Sequence, residues 1–263
     1  MIKSNPLRKL WKEGKPAFGT WVTLCPHPRI IKMFAACGFD FVIIEMEHTD
    51  FNLQTVANLV MLAREAGLVP IVRPPGTIKP HDLSRPLDAG AQGLLLPAID
   101  SADQMREIIQ AVKYHPLGAR PMNLKGPHTD YHPGKPGEII SHLNEHTLNI
   151  VMIESRKGIE NLDSICNVEG VDAIMVGPDD LSQDLGVPGE MAHPKLVEAI
   201  DRIFSIAKNN NVPYGLSCHS PEQAKARVEA GCTWLPYSND AAMILNTSRD
   251  IVPKLMEIGG RLS

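Results

Sequence analysis

Four apolar runs in this 263-residue chain end in groups that can hold charge or move a proton. "IIEMEH" ends in Glu45, Glu47 and His48, and "IVRPP" places Arg73 after its run. "VMIES" ends in Glu154, and "MVGPDDLS" ends in Gly177, Asp179 and Asp180. Glu154 and Asp180 supply hard carboxylate oxygens suited to Mg²⁺, Mn²⁺ or Co²⁺. Such ions use few carboxylates and keep water and substrate oxygens in their other positions. Arg73 offers a planar donor fork that holds a carboxylate or a keto oxygen. The "GPDDLS" turn, with Gly177, presents backbone N–H groups to an anion if a helix starts there. His48 carries an imidazole that transfers protons near neutral pH. A cation, an arginine and a histidine together suit enolate chemistry on a 2-oxo acid.

Taken singly, each residue has a plainer explanation. An acid at a strand end is often a solvated loop residue or a helix cap, and Arg73 could be a structural partner of Glu45 or Glu47. Convergence separates the two readings. Four charged ends on one rim would be costly to bury unless partners or a cation compensate them.

The elements that would position them recur along the chain. Short runs rich in β-formers cover 18–24, 39–45, 69–74, 93–99, 149–154, 173–178, 212–217 and 232–238. Most are continuously apolar, the pattern of strands covered on both faces in a parallel sheet. Between them lie helical patterns. Leu53, Val56, Leu59, Val60 and Ala63 form one apolar stripe, and Ser101/Gln104 and Ser220/Gln223 stand in capping-box positions. Gly38, Gly67, Gly90, Gly170 and Gly231 stand where helices must stop. Eight strands alternating with helices predict an α/β fold, a (β/α)8 TIM barrel formed as a single domain over residues 1–263. A doubly wound open sheet would carry a G-x-G-x-x-G turn, and none is present. In a barrel, strand ends meet at one mouth. On a regular strand Glu45 and Glu47 share a direction and His48 points the other way. The strand must therefore end near Glu47, with His48 on the loop and Glu45 or Glu47 orienting it or Arg73.

Residues 115–148 break the rhythm with a long connection rich in Pro, Gly and His. His128 and His132 have the spacing of a helical metal pair, but Pro127 and Pro133 bracket them, so a solvated loop is the simpler reading. As a lid, this segment would bring Lys125, His128 and Tyr131 over the mouth beside His219, favouring a hydroxylated or carboxylate-bearing acceptor.

A net charge of −4 offers no basic field for nucleic acid or anionic lipid. No apolar run reaches the ~18 residues of a membrane span. The five cysteines show no C-x-x-C spacing, and "MIKSNPLRKLWKEGK" lacks the apolar core of a secretion signal. A reducing cytoplasm is the expected location.

Taken in order, "IIEMEH", "VRPP", "DAGAQGLLLPAI", "VMIES" and "VGPDDLS" resemble the HpcH/HpaI family of metal-dependent class II pyruvate aldolases, from about Phe18 to Asp240. The resemblance implies cleavage of a 4-hydroxy-2-oxo acid to pyruvate and an aldehyde through a metal-stabilised enolate. Glu154 and Asp180 match the metal ligands, Arg73 the arginine that contacts pyruvate, and His48 the acid/base histidine beside Glu45. The backbone around Gly177, Asp179 and Asp180 matches the turn that receives the pyruvate carboxylate. Asp88 matches an acid that relatives bring to a neighbouring subunit's histidine. A homo-oligomer, a hexamer with an exchanged C-terminal helix, is also implied, and the stretch "AAMILNTSRDIVPKLMEIGG" has apolar residues to pack on a partner. The chain departs from the pattern at Glu45, where several aldolases have Asp, at Met152, where some have Gln, and at Pro121, where Arg-Gly is frequent. These positions lie near the acceptor side, so the resemblance does not carry over an exact substrate. An oxaloacetate decarboxylase and a carbon–carbon bond-forming synthase remain as alternatives on the same site, and a non-catalytic oxo-acid-binding barrel as a third.

Overall fold

The computed structural model describes residues 2–76 and 80–261. Eight parallel strands close into a barrel in chain order: β1 Ala17–Val22, β2 Phe41–Glu45, β3 Val69–Arg73, β4 Gly93–Leu96, β5 Leu148–Ile153, β6 Ala173–Val176, β7 Tyr214–Gly215 and β8 Trp234–Asn239. All eight sequence runs become strands, most of them trimmed at their ends. Helix α1 (Pro6–Lys12) precedes the barrel. The connecting helices are α2 Arg29–Ala36, α3 Leu53–Ala66, α4 Pro80–Asp88, α5 Ala102–Val112, α6 Pro136–His146, α7 Arg156–Glu160, α8 Leu162–Cys166, α9 Pro178–Asp184, α10 Pro194–Asn209 and α11 Pro221–Glu229, and α12 Asp240–Ile258 ends the chain.

Local chemistry explains the helix ends. Asn52 accepts from Thr55 N at 3.0 Å to open α3, and Gly67, at φ 84°, closes it in the left-handed region. Ser101 and Ser220 cap α5 and α11 through Gln104 N and Gln223 N, each at 3.2 Å. The apolar stripe of α3 is buried through Val56, Leu59, Val60 and Ala63.

Strand alternation splits the core in two. Phe41, Ile43, Val69, Ile71, Ile150, Met152, Met175 and Trp234 pack inside the barrel. Their neighbours Val42, Ile44, Val72, Val151, Ile174 and Val176 pack outward against the helices. Each fully buried aliphatic side chain contributes about 1.5–3 kcal/mol, so both faces of every strand favour the closed sheet. Gly19 and Gly215 admit the large inner rings: an added Cβ would lie 2.3 Å from Phe41 and 1.8 Å from the Trp234 carbonyl oxygen.

The 115–148 segment differs from the solvated loop expected of it. It forms a 3-10 turn at Pro127–Thr129 and the helix α6, and Ile139 and Leu143 pack with Ile2 and Tyr114. His128 is buried, with Nε2 2.7 Å from the Asn123 carbonyl. The segment also lies at the end of the barrel away from the mouth. It joins the C-terminus of α5 to the N-terminus of β5, and both face the opposite end. Its contacts are there: Asp130 accepts from Arg64 Nη2 at 2.7 Å and from Lys3 N at 2.9 Å. Lys125, His128 and Tyr131 therefore form no lid over their own barrel. The physical reason is topological, since only loops that follow strands reach the mouth.

Helix α12 continues directly from β8. Asp240 at its start is buried and accepts from the backbone amides of Thr23, Leu24 and Cys25, which ties the loop after β1. Beyond it Ile244, Leu245, Ile251, Val252, Leu255 and Ile258 are all exposed. No helix among the described residues is long and apolar enough to cross a membrane.

Candidate active site

The inward-facing positions of four strands change character where they reach the mouth. On β2 the series is Phe41, Ile43, Glu45, and on β3 it is Val69, Ile71, Arg73. On β5 Ile150 and Met152 lead to Glu154, and on β6 Ala173 and Met175 lead to Gly177. The period of two thus carries each series from the packed interior to an ionisable or small residue at the rim.

Register then sets the first contact. Glu45 and Arg73 are partners across β2 and β3, so their side chains lie side by side. Arg73 Nε donates to Glu45 Oε2 at 2.5 Å, and Arg73 Nη1 lies 3.2 Å from Glu47 Oε2. Glu45 is 2% exposed as a side chain, so this pair is removed from water. Its second oxygen accepts the amides of Glu47 at 2.6 Å and His48 at 3.1 Å. One carboxylate thereby fixes both the arginine and the loop that carries the histidine. The guanidinium lies 4.9 Å over the Trp21 ring, and Met152 Sδ is 3.9 Å from Nη1.

Carboxylates outnumber cations beside it. The Glu154 carboxyl is pushed up to about 7, chiefly by burial, and further by the charges of Asp180 and Glu47. The Ala98 amide, 2.6 Å from Oε1, and Arg73 oppose the rise. Glu47 is also raised, again chiefly by burial and against the pull of Arg73. Hard oxygens that repel one another in a half-buried place are the donor set a divalent cation compensates. The described residues contain no group of three or more His, Cys, Asp or Glu side chains gathered as a metal cage. A cation there would rest on Glu154 and Asp180, with oxygens of substrate and solvent completing its shell.

His48 is on the loop after β2, exposed, with Nε2 3.6 Å from Glu47 Oε2. Helical bonding in α9 begins with Leu181 N to the Gly177 carbonyl at 3.1 Å, so the amides of Asp179 and Asp180 have no helical partner. A cavity of about 390 Å³ opens at this mouth, lined by Trp21, Glu45, Arg73, Gly177, Asp179 and His219 among others. Asp88 lies apart from it, at the C-terminus of α4. There Arg120 Nη2 pairs with it at 2.5 Å while stacking 4.8 Å from the Tyr114 ring centre.

Two contributors escaped the sequence reading. Trp21 follows Ala17 and Gly19 on the inward series of β1, and alternation alone could have found it. The Ala98 amide had no signal, because its aim depends on a left-handed backbone at φ 52°.

Gly177 is a close approach. A Cβ there would lie 2.6 Å from Glu154 Oε2 and 3.0 Å from its Cβ. Gly177→Ala is expected to displace the Glu154 carboxylate and weaken Mn²⁺ binding about 10- to 100-fold, as loss of a supporting contact does. The barrel should stay folded. Titration followed by electron paramagnetic resonance would measure it, and unaltered affinity would show that Glu154 need not sit where it does.

The chain as a whole matches known proteins. Residues 18–235 match the family model described as HpcH/HpaI aldolase/citrate lyase. A 4-hydroxy-2-oxo-heptane-1,7-dioate aldolase of Shigella sonnei (strain Ss046) is 30% identical over 251 residues, 95% of this chain and 94% of the relative. The crystal structure of an HpcH/HpaI aldolase from Desulfitobacterium hafniense DCB-2 superposes with a TM-score of 0.91 at 32% identity, covering 95% of this chain and 96% of that one. The structure of the citrate synthase SbnG gives a TM-score of 0.86 at 28% identity, over 97% and 98% of the two chains.

Proposed function

The chain is an enzyme of the HpcH/HpaI aldolase/citrate lyase family, and from that premise we propose that it cleaves a 4-hydroxy-2-oxo acid to pyruvate and an aldehyde, and catalyses the reverse addition. The observation that carries this reading is the pairing of Arg73, held by Glu45 and Glu47, with the mutually repelling carboxylates Glu154 and Asp180 at the same mouth.

Glu154 and Asp180 would hold Mg²⁺, Mn²⁺ or Co²⁺, which when bound supplies Lewis-acid polarisation of a keto oxygen. Arg73 faces the 2-oxo group, and its fixed fork offsets the negative charge that grows on the keto oxygen as the C3–C4 bond breaks. Glu45 keeps that fork aimed, so no reorganisation is needed at the moment of reaction. The amides of Asp179 and Asp180, with Gly177 leaving room, receive the pyruvate carboxylate. His48, directly or through water, takes the proton of the 4-hydroxyl as the aldehyde carbonyl forms, and a proton delivered through water to C3 of the remaining enolate completes pyruvate. In the reverse direction His48 returns its proton to the new alkoxide.

Proton exchange at the pyruvate methyl group tests this reading without knowledge of the aldehyde. In deuterium oxide the enzyme should wash out the methyl signal, lose that ability after chelation, and regain it with Mg²⁺, Mn²⁺ or Co²⁺. Full exchange in a demonstrably metal-free preparation would exclude the scheme. The likeness to a protein described as a citrate synthase favours one second reading, a bond-forming synthase that keeps the same enolate chemistry. Products formed from a panel of 2-oxo acids distinguish it, and an oxaloacetate decarboxylase, from an aldolase.

Assembly is part of the proposal. The exposed apolar residues of α12 and the position of Asp88, away from its own mouth, fit a homo-oligomer, by resemblance a hexamer. Sedimentation at assay concentration should show one, whereas a fully active monomer would contradict it.

A further inference from the structure

The mouth cavity contains a second arginine. The cavity lined by Glu45 and Arg73 also has a lobe lined by Leu196 and Ile200 of α10 and by Gln223 and Arg227 of α11, with Arg227 in the last turn of that helix. Arg227 Nη1 is buried and meets no hydrogen-bond acceptor among the described residues. The ionisable groups that act on Arg227 are two thiols, Cys218 and Cys232, and no carboxylate is among them. Burial pushes the Cys232 thiol up to about 12 and raises Cys218 as well, so neither thiol supplies a negative charge near neutral pH. Guanidinium stays protonated under these conditions. A buried donor of a charged group is therefore left without a counter-charge, in the wall of the cavity that Glu45 and Arg73 also line.

That arrangement is costly by itself and is relieved by an anion. Arg227 is half-buried, and its buried nitrogen without an acceptor carries a desolvation cost that a carboxylate or phosphate relieves through parallel N–H···O bonds. The rest of this lobe suits the chain that would bring such a group. Val176, Leu196, Ile200 and Leu216 make its walls apolar, and Gln223 adds a polar side chain beside Arg227. Arg73 is committed elsewhere: Nε and Nη1 meet Glu45 and Glu47, and its remaining donors are those assigned to the keto oxygen.

We propose that Arg227 is a specificity-determining residue that receives an oxyanion, carboxylate or phosphate, at the far end of the aldehyde partner. The assignment rests on the aldolase reading for the identity of that partner, but the anion subsite itself does not. Its apolar walls would accept the methylene chain between the aldehyde and the anion.

The test compares the unaltered enzyme, in its native assembly, with R227Q and R227K. Pyruvate is condensed with succinic semialdehyde, with glyceraldehyde 3-phosphate and with butanal, an uncharged aldehyde of the same chain length as the first. R227Q should lower kcat/KM for the acidic aldehydes about 10- to 100-fold, the worth of a charged hydrogen bond. Butanal should be nearly unaffected, and pyruvate methyl-proton exchange should continue at its normal rate. R227K should fall between, since it keeps the charge and loses the fork. Whichever acidic aldehyde loses more identifies the group as carboxylate or phosphate. Equal losses for butanal, or none for either acidic aldehyde, would overturn the subsite. So would a variant whose only change is in its state of assembly. Calorimetric titration with succinate and with inorganic phosphate provides an arm independent of turnover: R227Q should bind one of them at least about tenfold more weakly. If the unaltered enzyme fails to exchange pyruvate protons, the aldolase reading falls, and these titrations alone decide the subsite.

Discussion

Glu154→Gln is expected to weaken Mn²⁺ binding by at least about 100-fold, beyond the loss that follows removal of an outer partner. Gln keeps the shape and an oxygen for the Ala98 amide but removes the charge a hard cation needs. Activity should fall with affinity, and excess Mn²⁺ should restore little of it. Folding should not suffer. The Glu154 carboxyl titrates at about 7 in the fold against 4.5 as its ordinary value. An acid raised in this way contributes its stability below pH 4.5 and loses it as pH rises through about 7. At pH 8 the metal-free variant should therefore melt no lower than the unaltered protein, and a higher Tm is expected. The same titration makes the unaltered protein's Mn²⁺ affinity fall below pH 7, by about tenfold per unit, as protons compete for the ligand. Calorimetry at pH 6, 7 and 8 with thermal melts on both proteins covers all these outcomes. A variant that binds Mn²⁺ normally would remove Glu154 from the metal site.

Arg73→Ala should damage stability and chemistry together. Glu45 is nearly inaccessible to solvent, and its remaining partners would be the two backbone amides. Breaking a buried pair from one side costs about 3–5 kcal/mol, because the surviving charge stays buried. The turnover rate should fall about 100- to 1,000-fold, the usual loss on removing a donor to a developing oxyanion. Arg73→Lys is expected to keep more stability than activity, since an ammonium cannot hold Glu45 and Glu47 in one plane. The double variant Arg73→Met with Glu45→Gln separates the two effects. It should recover most of the lost Tm and none of the lost kcat. Recovery of activity in the double variant would show that Arg73 serves only to neutralise Glu45.

The fold was legible because it depends on short-range chemistry. Runs such as 69–74 and 149–154 are apolar on both faces, and only strands covered inside and out need that pattern. Asn52 and Gly67 mark the ends of α3 by hydrogen-bonding and backbone preferences that act within a few residues. The charged strand ends were legible as well, since an ionisable residue after an apolar run stands out wherever it falls.

What the sequence by itself determined is thus the set of elements, their order, and the mouth residues Glu45, Arg73, Glu154 and Asp180 as candidates. Tertiary structure alone decided which of them touch. Register across β2 and β3 pairs Glu45 with Arg73, and the loop after β2 brings Glu47 to the same guanidinium. It also decided which end of the barrel each irregular segment occupies. Residues 115–148 carry the polar and cationic groups of a lid, yet they precede a strand and lie opposite the mouth, whereas His219 follows β7 and lines the cavity. Arg227 gave no warning, because an arginine on a polar helix reads as a solvated residue. Only the packing of α10 and α11 on the barrel buries one of its nitrogens in a wall of the cavity that Arg73 also lines. Such contacts depend on strand register and loop path across long sequence separations, and no local pattern of residue types encodes them.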